Sequence, residues 1–160
     1  MTPGLRRGLI EIGAAGADIG DWWIIGSAAM ALWGFDIEPH DIDVFGPEPV
    51  MRRLLDHWGM ASGTHSANDR FRSTPYTTVR LPGCLDIELM GDLEVNGTAG
   101  WQPVSLGTRA AFDLEGARLF APDLPELASL FRAFGRPKDL DKAALCDARL
   151  FKGSSSRPHR

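Results

Sequence analysis

Cysteine is scarce in this chain, since Cys84 and Cys146 are the only two cysteines among 160 residues. Their spacing fits neither a metal-binding motif nor a disulfide framework, so we expect the protein to work in the reducing cytoplasm. The apolar run from Trp22 to Phe35 falls short of the roughly 20 residues that span a bilayer. Acidic residues interrupt the N-terminal apolar stretch, which argues against a signal peptide.

An excess of positive charge is lacking as well. The sequence has 17 Lys and Arg residues against 21 Asp and Glu residues, a formal net charge of −4. This balance argues against a protein that is held to nucleic acid or to an anionic membrane mainly by charge. It leaves room for a small anionic substrate bound by one or two well-placed cations. The hydrophobic content of 44% is that of an ordinary globular domain.

The hydrophobic pattern predicts an α/β (α+β) fold, with a small mixed, mostly antiparallel sheet, flanking helices and a short C-terminal helical segment. Strands are expected at 22–25, 40–45, 77–81 and 84–89, the last two as a hairpin. Helices are expected at 3–17, 28–33, 48–58, 125–134 and 137–150. The stretch 61–68 is interpreted as a loop, and 92–122 as short strands and loops.

One domain is expected, in keeping with the length of the chain. Residues 1–122 would form its core, and residues 123–151 its C-terminal helical segment. The tail, 152–160, is expected to be disordered.

Two aspartates stand two residues apart on a predicted strand. Because side chains alternate along a strand, Asp41 and Asp43 share one face while Ile42 and Val44 point to the other. Neighbouring carboxylates repel each other, and a divalent cation removes that cost. Mg²⁺ prefers hard oxygen ligands and takes one or two carboxylates together with substrate phosphates. The pair therefore predicts a Mg²⁺ site for a nucleotide-dependent transfer reaction.

A Gly-Ser turn precedes this strand and opens a predicted helix. Unpaired backbone N–H groups and the positive end of the helix dipole favour a phosphate at such a position. Gly26 allows the backbone to approach closely. Ser27 either caps the helix or donates its hydroxyl to a phosphate oxygen. A phosphate cradle and a metal site would thus face each other.

A third carboxylate is expected to complete the site. Asp86 and Glu88 are the candidates, because both lie on the polar face of the strand 84–89. An acid there could bind a second metal ion or take the proton from an attacking hydroxyl. The pattern alone does not assign the two roles.

The residues quoted so far resemble the DNA polymerase β-type nucleotidyltransferase superfamily. Its pattern is Gly-Ser or Gly-Gly, a short helix, Asp-x-Asp and a later acidic strand. The matching segments here are 25–30, 40–44 and 85–88. Within the superfamily the chain is most similar to the small single-domain nucleotidyltransferases of the lincosamide type, over roughly residues 20 to 150. It departs from them at Ser27, where that type has glycine.

The resemblance implies a nucleotidyltransferase fold, an NTP co-substrate and one or two Mg²⁺ ions. It implies that Gly26 and Ser27 touch the triphosphate, that Asp41 and Asp43 bind Mg²⁺, and that Asp86 is the third carboxylate. Glu88 is then a candidate catalytic base.

The basic segment 136–139 resembles the one that opens the last helix in several such proteins. There Lys138 would neutralise triphosphate charge, although a lysine at the start of a helix is more often simply solvated.

The expected reaction is transfer of a nucleoside monophosphate to a hydroxyl of a small molecule such as an aminoglycoside or lincosamide antibiotic. The lincosamide enzymes also imply a homodimer. Two alternatives remain open. One is a nucleotidyltransferase that modifies protein or tRNA as a toxin–antitoxin component, although the acidic balance argues against tRNA. The other is a non-catalytic nucleotide-binding relative that has kept the fold.

Overall fold

The computed structural model describes residues 1–60 and 64–155, which form two sheets flanked by helices. The helices are α1 (Pro3–Ala15), α2 (Gly26–Leu32), α3 (Glu48–His57), α4 (Leu124–Phe134) and α5 (Pro137–Ser155). The strands are β1 (Trp23–Ile25), β2 (Asp41–Gly46), β3 (Thr64–Ala67), β4 (Phe71–Val79), β5 (Asp86–Gly91), β6 (Glu94–Gly97), β7 (Gly100–Pro103), β8 (Ala110–Leu114) and β9 (Ala117–Ala121). Among these residues, no helix combines the length and apolarity that crossing a membrane requires.

The main sheet has the strand order β1-β2-β5-β4-β6-β7, and β3 pairs with β4. Strands β2 and β5 run parallel, whereas the other neighbouring strands pair antiparallel. Strands β8 and β9 form a separate hairpin. The expected mixed, mostly antiparallel sheet with flanking helices is therefore confirmed. The predicted hairpin around Pro82 and Gly83 is also present, as β4 and β5.

The two faces of the sheet have different environments. Ile42 and Val44 of β2 and Ile87 and Leu89 of β5 are fully buried in the main core, which also contains residues of all five helices. On the other face, Trp23, Ile25 and Phe45 form a second apolar cluster with Leu130 and Phe134 of α4. Alternation along β2 thus places Asp41 and Asp43 on the face that opens beside this second cluster.

Two expectations about irregular segments are wrong in part. The stretch 61–68 contains strand β3, which gains backbone hydrogen bonds from β4 despite its polar composition. Tertiary pairing of this kind overrides local propensity. The last helix continues to Ser155 rather than ending at Leu150, so that residues 152–155, expected in a disordered tail, are helical. Part of each expectation lies outside the described residues, namely 61–63 of the expected loop and 156–160 of the expected tail.

Candidate metal and phosphate site

The register between β2 and β5 brings two pairs of acids side by side. Asp41 lies opposite Asp86, and Asp43 lies opposite Glu88. The strands are parallel and the intervening Ile42 and Ile87 are buried in the core. All four acidic residues therefore lie on the same face of the sheet.

Three of these acids form a compact group. Asp41, Asp43 and Glu88 each offer a carboxylate oxygen, and the three oxygens lie within 4.8 Å of one another. Each residue is half-buried. A donor set made of carboxylate oxygens suits a hard divalent cation such as Mg²⁺. These three side chains could therefore hold a metal ion.

The mutual repulsion of these carboxylates has its largest effect on Asp43. Burial, followed by the charges of Asp41 and Glu88 and a hydrogen bond with Glu88, raises the pKa of Asp43 to about 8. The positive charge of Lys142 acts in the opposite direction. The neighbouring acids repel the ionised carboxylate of Asp43, whereas a cation in this position would attract it and so stabilise the ionised form.

The Gly-Ser turn touches this acidic group directly. Gly26 follows β1 and begins α2 with a φ of +67°, in the left-handed region. A Cβ atom at Gly26 would lie 2.8 Å from Oδ2 of Asp43. Within the described part of the chain, no side chain caps the N-terminus of α2, and Ser27 is half-buried in its first turn. The backbone at this turn thus closely approaches the carboxylate of Asp43.

The two candidates for the third carboxylate have different surroundings. Glu88 is one of the three clustered acids. Asp86 lies instead at the start of β5, where its Oδ2 is 3.4 Å from Nε of Arg80. The side chains of Asp86 and Arg80 are 47% and 73% exposed, so this ion pair is accessible to water. The geometry favours Glu88 over Asp86 as the acid that faces Asp43.

Helix α5 brings a lysine to the site that the sequence reasoning missed. Lys138 is exposed at the start of α5. Lys142, one turn later, is half-buried and its charge acts on Asp43. Burial lowers the pKa of Lys142, while Asp139 and Asp43 oppose this effect. Helical periodicity could have indicated Lys142. It follows the buried Asp139 by three residues and therefore lies on the same face of the helix.

A cavity of about 290 Å³ opens beside the carboxylates. Asp43, Glu88 and Tyr76 line one part of it. Burial, and then the charge of Glu88 and a hydrogen bond with it, raises the pKa of the Tyr76 hydroxyl. Apolar walls come from the second cluster, including Ile25 and Phe134.

Two arginines line the same cavity. Arg72 forms two hydrogen bonds with the carboxylate of Glu94, and its guanidinium lies 4.4 Å from the centre of the Trp101 ring. Arg136 is likewise bound by two of its nitrogens to Asp139, whose side chain is 1% exposed, and lies over Phe71. Both guanidinium groups are therefore held in place before any substrate binds.

No protein-family model and no curated protein matches this sequence. A solved structure does match: that of a protein from Thermotoga maritima whose assignment as a nucleotidyltransferase is itself provisional. The two chains superpose with a TM-score of 0.67 over 89% of each chain, at 21% sequence identity. This likeness establishes the fold, so the chain has a nucleotidyltransferase fold.

Proposed function

We propose that this chain is a Mg²⁺-dependent nucleotidyltransferase, which moves a nucleoside monophosphate from an NTP to a hydroxyl of a small molecule such as an antibiotic. The observation that carries the proposal is the group of three carboxylates, Asp41, Asp43 and Glu88, within 4.8 Å of one another. A half-buried acidic group of this kind has a functional explanation more readily than a structural one, because it destabilises the folded chain when no cation is present.

The donor half of the reaction is assigned to residues around the Gly-Ser turn. Asp41 and Asp43 would hold Mg²⁺, which when bound neutralises phosphate charge and polarises the reacting phosphoryl group. The backbone at Gly26 and the hydroxyl of Ser27 would contact the triphosphate. Lys142 would supply the positive charge there, since its charge already acts on Asp43.

The chemical step is assigned to Glu88. The hydroxyl oxygen of the acceptor attacks the α-phosphorus and forms a new P–O bond. The bond from the α-phosphorus to the bridging oxygen breaks, and pyrophosphate leaves. The hydroxyl proton passes to the carboxylate of Glu88, which lies beside Asp43 and lines the cavity. Tyr76, which lines the cavity with Glu88, would help to orient that carboxylate.

The dimensions of the cavity support a small acceptor. Its volume of about 290 Å³ is at the lower end of the range for small-molecule sites. Apolar and aromatic walls with a few fixed polar groups are typical of such sites. The net charge of −4 gives no general attraction for tRNA.

A labelling experiment tests the proposal. The purified protein is incubated with each α-³²P-labelled NTP, with Mg²⁺ or with EDTA, and with aminoglycosides, lincosamides, total tRNA or a protein extract. We expect label on a small molecule, stoichiometric pyrophosphate and no reaction in EDTA. The Asp43→Asn variant provides the inactive control.

The acceptor that becomes labelled decides between the alternatives. Label on tRNA or on protein would support the transfer reaction but contradict the proposal that the acceptor is a small molecule. If no acceptor is labelled and no pyrophosphate is released from any NTP, the enzymatic proposal is wrong.

A further inference from the structure

The cavity beside the carboxylates contains hydroxyl groups of the protein itself. Among the described residues, the hydroxyl side chains that line it are Ser66, Ser73 and Tyr76. Ser66 and Ser73 pair with each other between β3 and β4. Tyr76 belongs instead to the segment of β4 that pairs with β5, the strand that carries Glu88. It is also the only tyrosine in the sequence.

The register of β4 and β5 places Tyr76 on the same face as the carboxylates. Tyr76 lies opposite Met90, and Thr78 lies opposite Glu88. Residues that are directly opposite in an antiparallel pair share a face of the sheet, and diagonal neighbours are within reach of an aromatic side chain. Tyr76 is therefore a diagonal neighbour of Glu88, on the face that also carries Asp43.

The hydroxyl end of Tyr76 faces these acids. Its side chain is half-buried and lines the cavity together with Asp43 and Glu88. Besides burial, the charges of Glu88 and of Asp43 raise the pKa of the Tyr76 hydroxyl. Charges have this effect mainly at short range. The hydroxyl group thus lies where an acceptor hydroxyl must lie in order to give its proton to Glu88.

We propose that Tyr76 is itself an acceptor, so that the enzyme transfers a nucleoside monophosphate to the Tyr76 hydroxyl of its own chain when no other acceptor occupies the cavity. This inference rests on the proposed function, because it uses the same donor residues and the same base. It adds a modification site to the protein and gives the cavity an occupant that the chain supplies.

The step is a displacement at the α-phosphorus of the bound NTP. The oxygen of Tyr76 attacks that phosphorus and forms a new P–O bond, while its proton passes to the carboxylate of Glu88. The bond from the α-phosphorus to the bridging oxygen breaks, and pyrophosphate leaves. The product is a phosphodiester that joins the tyrosine ring to the nucleoside.

The modification is reversible and limits the activity of the enzyme. A tyrosine hydroxyl ionises with an ordinary pKa of about 10, so its oxygen is a better leaving group than that of an aliphatic alcohol. Pyrophosphate can therefore attack the same phosphorus, expel the oxygen of Tyr76 and regenerate the NTP. While the nucleotide is attached, it lies in the cavity of about 290 Å³ and excludes another acceptor.

Labelling of the full chain without any acceptor tests the proposal. The purified protein is incubated with Mg²⁺ and each α-³²P-labelled NTP in turn. We expect label on the protein, with one pyrophosphate released for each nucleotide attached. Mass spectrometry should find the added nucleoside monophosphate on the tryptic peptide 73–80, and fragmentation should place it on Tyr76. Because the transfer is intramolecular, its rate constant does not depend on the protein concentration.

Matched variants identify the accepting oxygen. Tyr76→Phe keeps the ring and removes only the hydroxyl, so we expect complete loss of the label. Ser73→Ala removes another hydroxyl from the same strand and the same cavity, and it should be labelled like wild type. Circular dichroism spectra identical to that of wild type show that both variants are folded. Excess pyrophosphate, added after removal of free NTP, should release the label from the wild-type chain as NTP.

Two results would overturn the inference and leave the proposed function standing. One is label that persists on the Tyr76→Phe variant. The other is a wild-type chain that labels an added small molecule, tRNA or another protein but never itself. If no pyrophosphate is released with or without an acceptor, the inference and the proposed function are both wrong.

Discussion

Gly26 and Asp43 are in contact without room for a methyl group, because a Cβ at Gly26 would lie 2.8 Å from Oδ2 of Asp43. The turn that opens α2 and the acidic strand β2 therefore meet at one point. Gly26 also has a φ of +67°, which other residues adopt only with strain. Two independent physical constraints thus require glycine here.

Replacing Gly26 by alanine is expected to damage the site as well as the fold. The left-handed backbone costs roughly 1–3 kcal/mol for a residue other than glycine. In addition, the new methyl group must displace the Asp43 carboxylate. We expect a lower free energy of unfolding in urea and an Mg²⁺ affinity that falls at least tenfold by isothermal titration calorimetry.

Gly34→Ala is the matched control for this variant. Gly34 has a φ of +86°, but a Cβ there would meet no atom of residues 1–60 and 64–155 within 4 Å. The control should lose a similar amount of stability and bind Mg²⁺ like wild type. Equal loss of Mg²⁺ binding in both variants would show that backbone strain alone, and not contact with Asp43, explains the effect.

The stability of the metal-free protein is expected to fall as the pH rises from about 4 to about 8. The pKa of Asp43 is about 8 in the folded chain, whereas an unfolded aspartate titrates near about 3.9. The folded state therefore binds the proton more tightly. The stabilisation that this proton provides is complete below the pKa of Asp43 in the unfolded chain. It is lost as the pH rises through the pKa of Asp43 in the folded chain.

Mg²⁺ should reverse this trend. The cation competes with the proton on Asp43, so its stabilising effect grows between about pH 6 and about pH 8.5. Thermal unfolding with Mg²⁺ or EDTA measures both effects. The Asp43→Asn variant should show a flatter pH profile and no Mg²⁺ effect. An identical slope in the variant and in wild type would mean that Asp43 does not titrate in this range.

Glu88 and Asp86 can be separated by paired substitutions. Glu88→Gln keeps the size of the side chain and removes the base, so we expect kcat to fall about 100-fold or more. Asp86→Asn breaks only an exposed ion pair with Arg80, and we expect a change of less than about tenfold. Single-turnover kinetics with a labelled NTP measure both variants. A larger fall in kcat for Asp86→Asn than for Glu88→Gln would mean that Asp86 is the catalytic base.

Lys142 and Lys138 are separated in the same way. Lys142→Met keeps an unbranched apolar side chain and removes the ammonium group, which lies 5.7 Å from the centre of the Phe131 ring and whose charge acts on Asp43. Loss of one charged contact with the triphosphate should raise the KM for the NTP by roughly 10- to 100-fold. Lys138→Met should change it by less than about threefold, because that side chain is exposed. A larger increase in KM for Lys138→Met than for Lys142→Met would mean that Lys138 contacts the triphosphate.

Much of the architecture follows from local patterns in the sequence. Alternation predicts the strand that carries Asp41 and Asp43, and that strand is present as β2. The sequence 77–89 predicts a hairpin, and β4 and β5 form it. Strand β3 could not be predicted, because its polar residues become a strand only through pairing with β4. The sequence also predicts too early an end for α5, at residue 150, whereas the helix continues to Ser155.

The sequence by itself determined that Asp41 and Asp43 share a face and that a glycine turn precedes them, because both features depend only on neighbouring residues. Only the tertiary structure decided which distant groups meet them. The parallel register of β2 and β5 places Glu88 beside Asp43 and leaves Asp86 with Arg80. The packing of α5 likewise places Lys142 where its charge acts on Asp43. Such choices depend on pairing between segments far apart in the chain, and a shift in strand register would change every contact at the site.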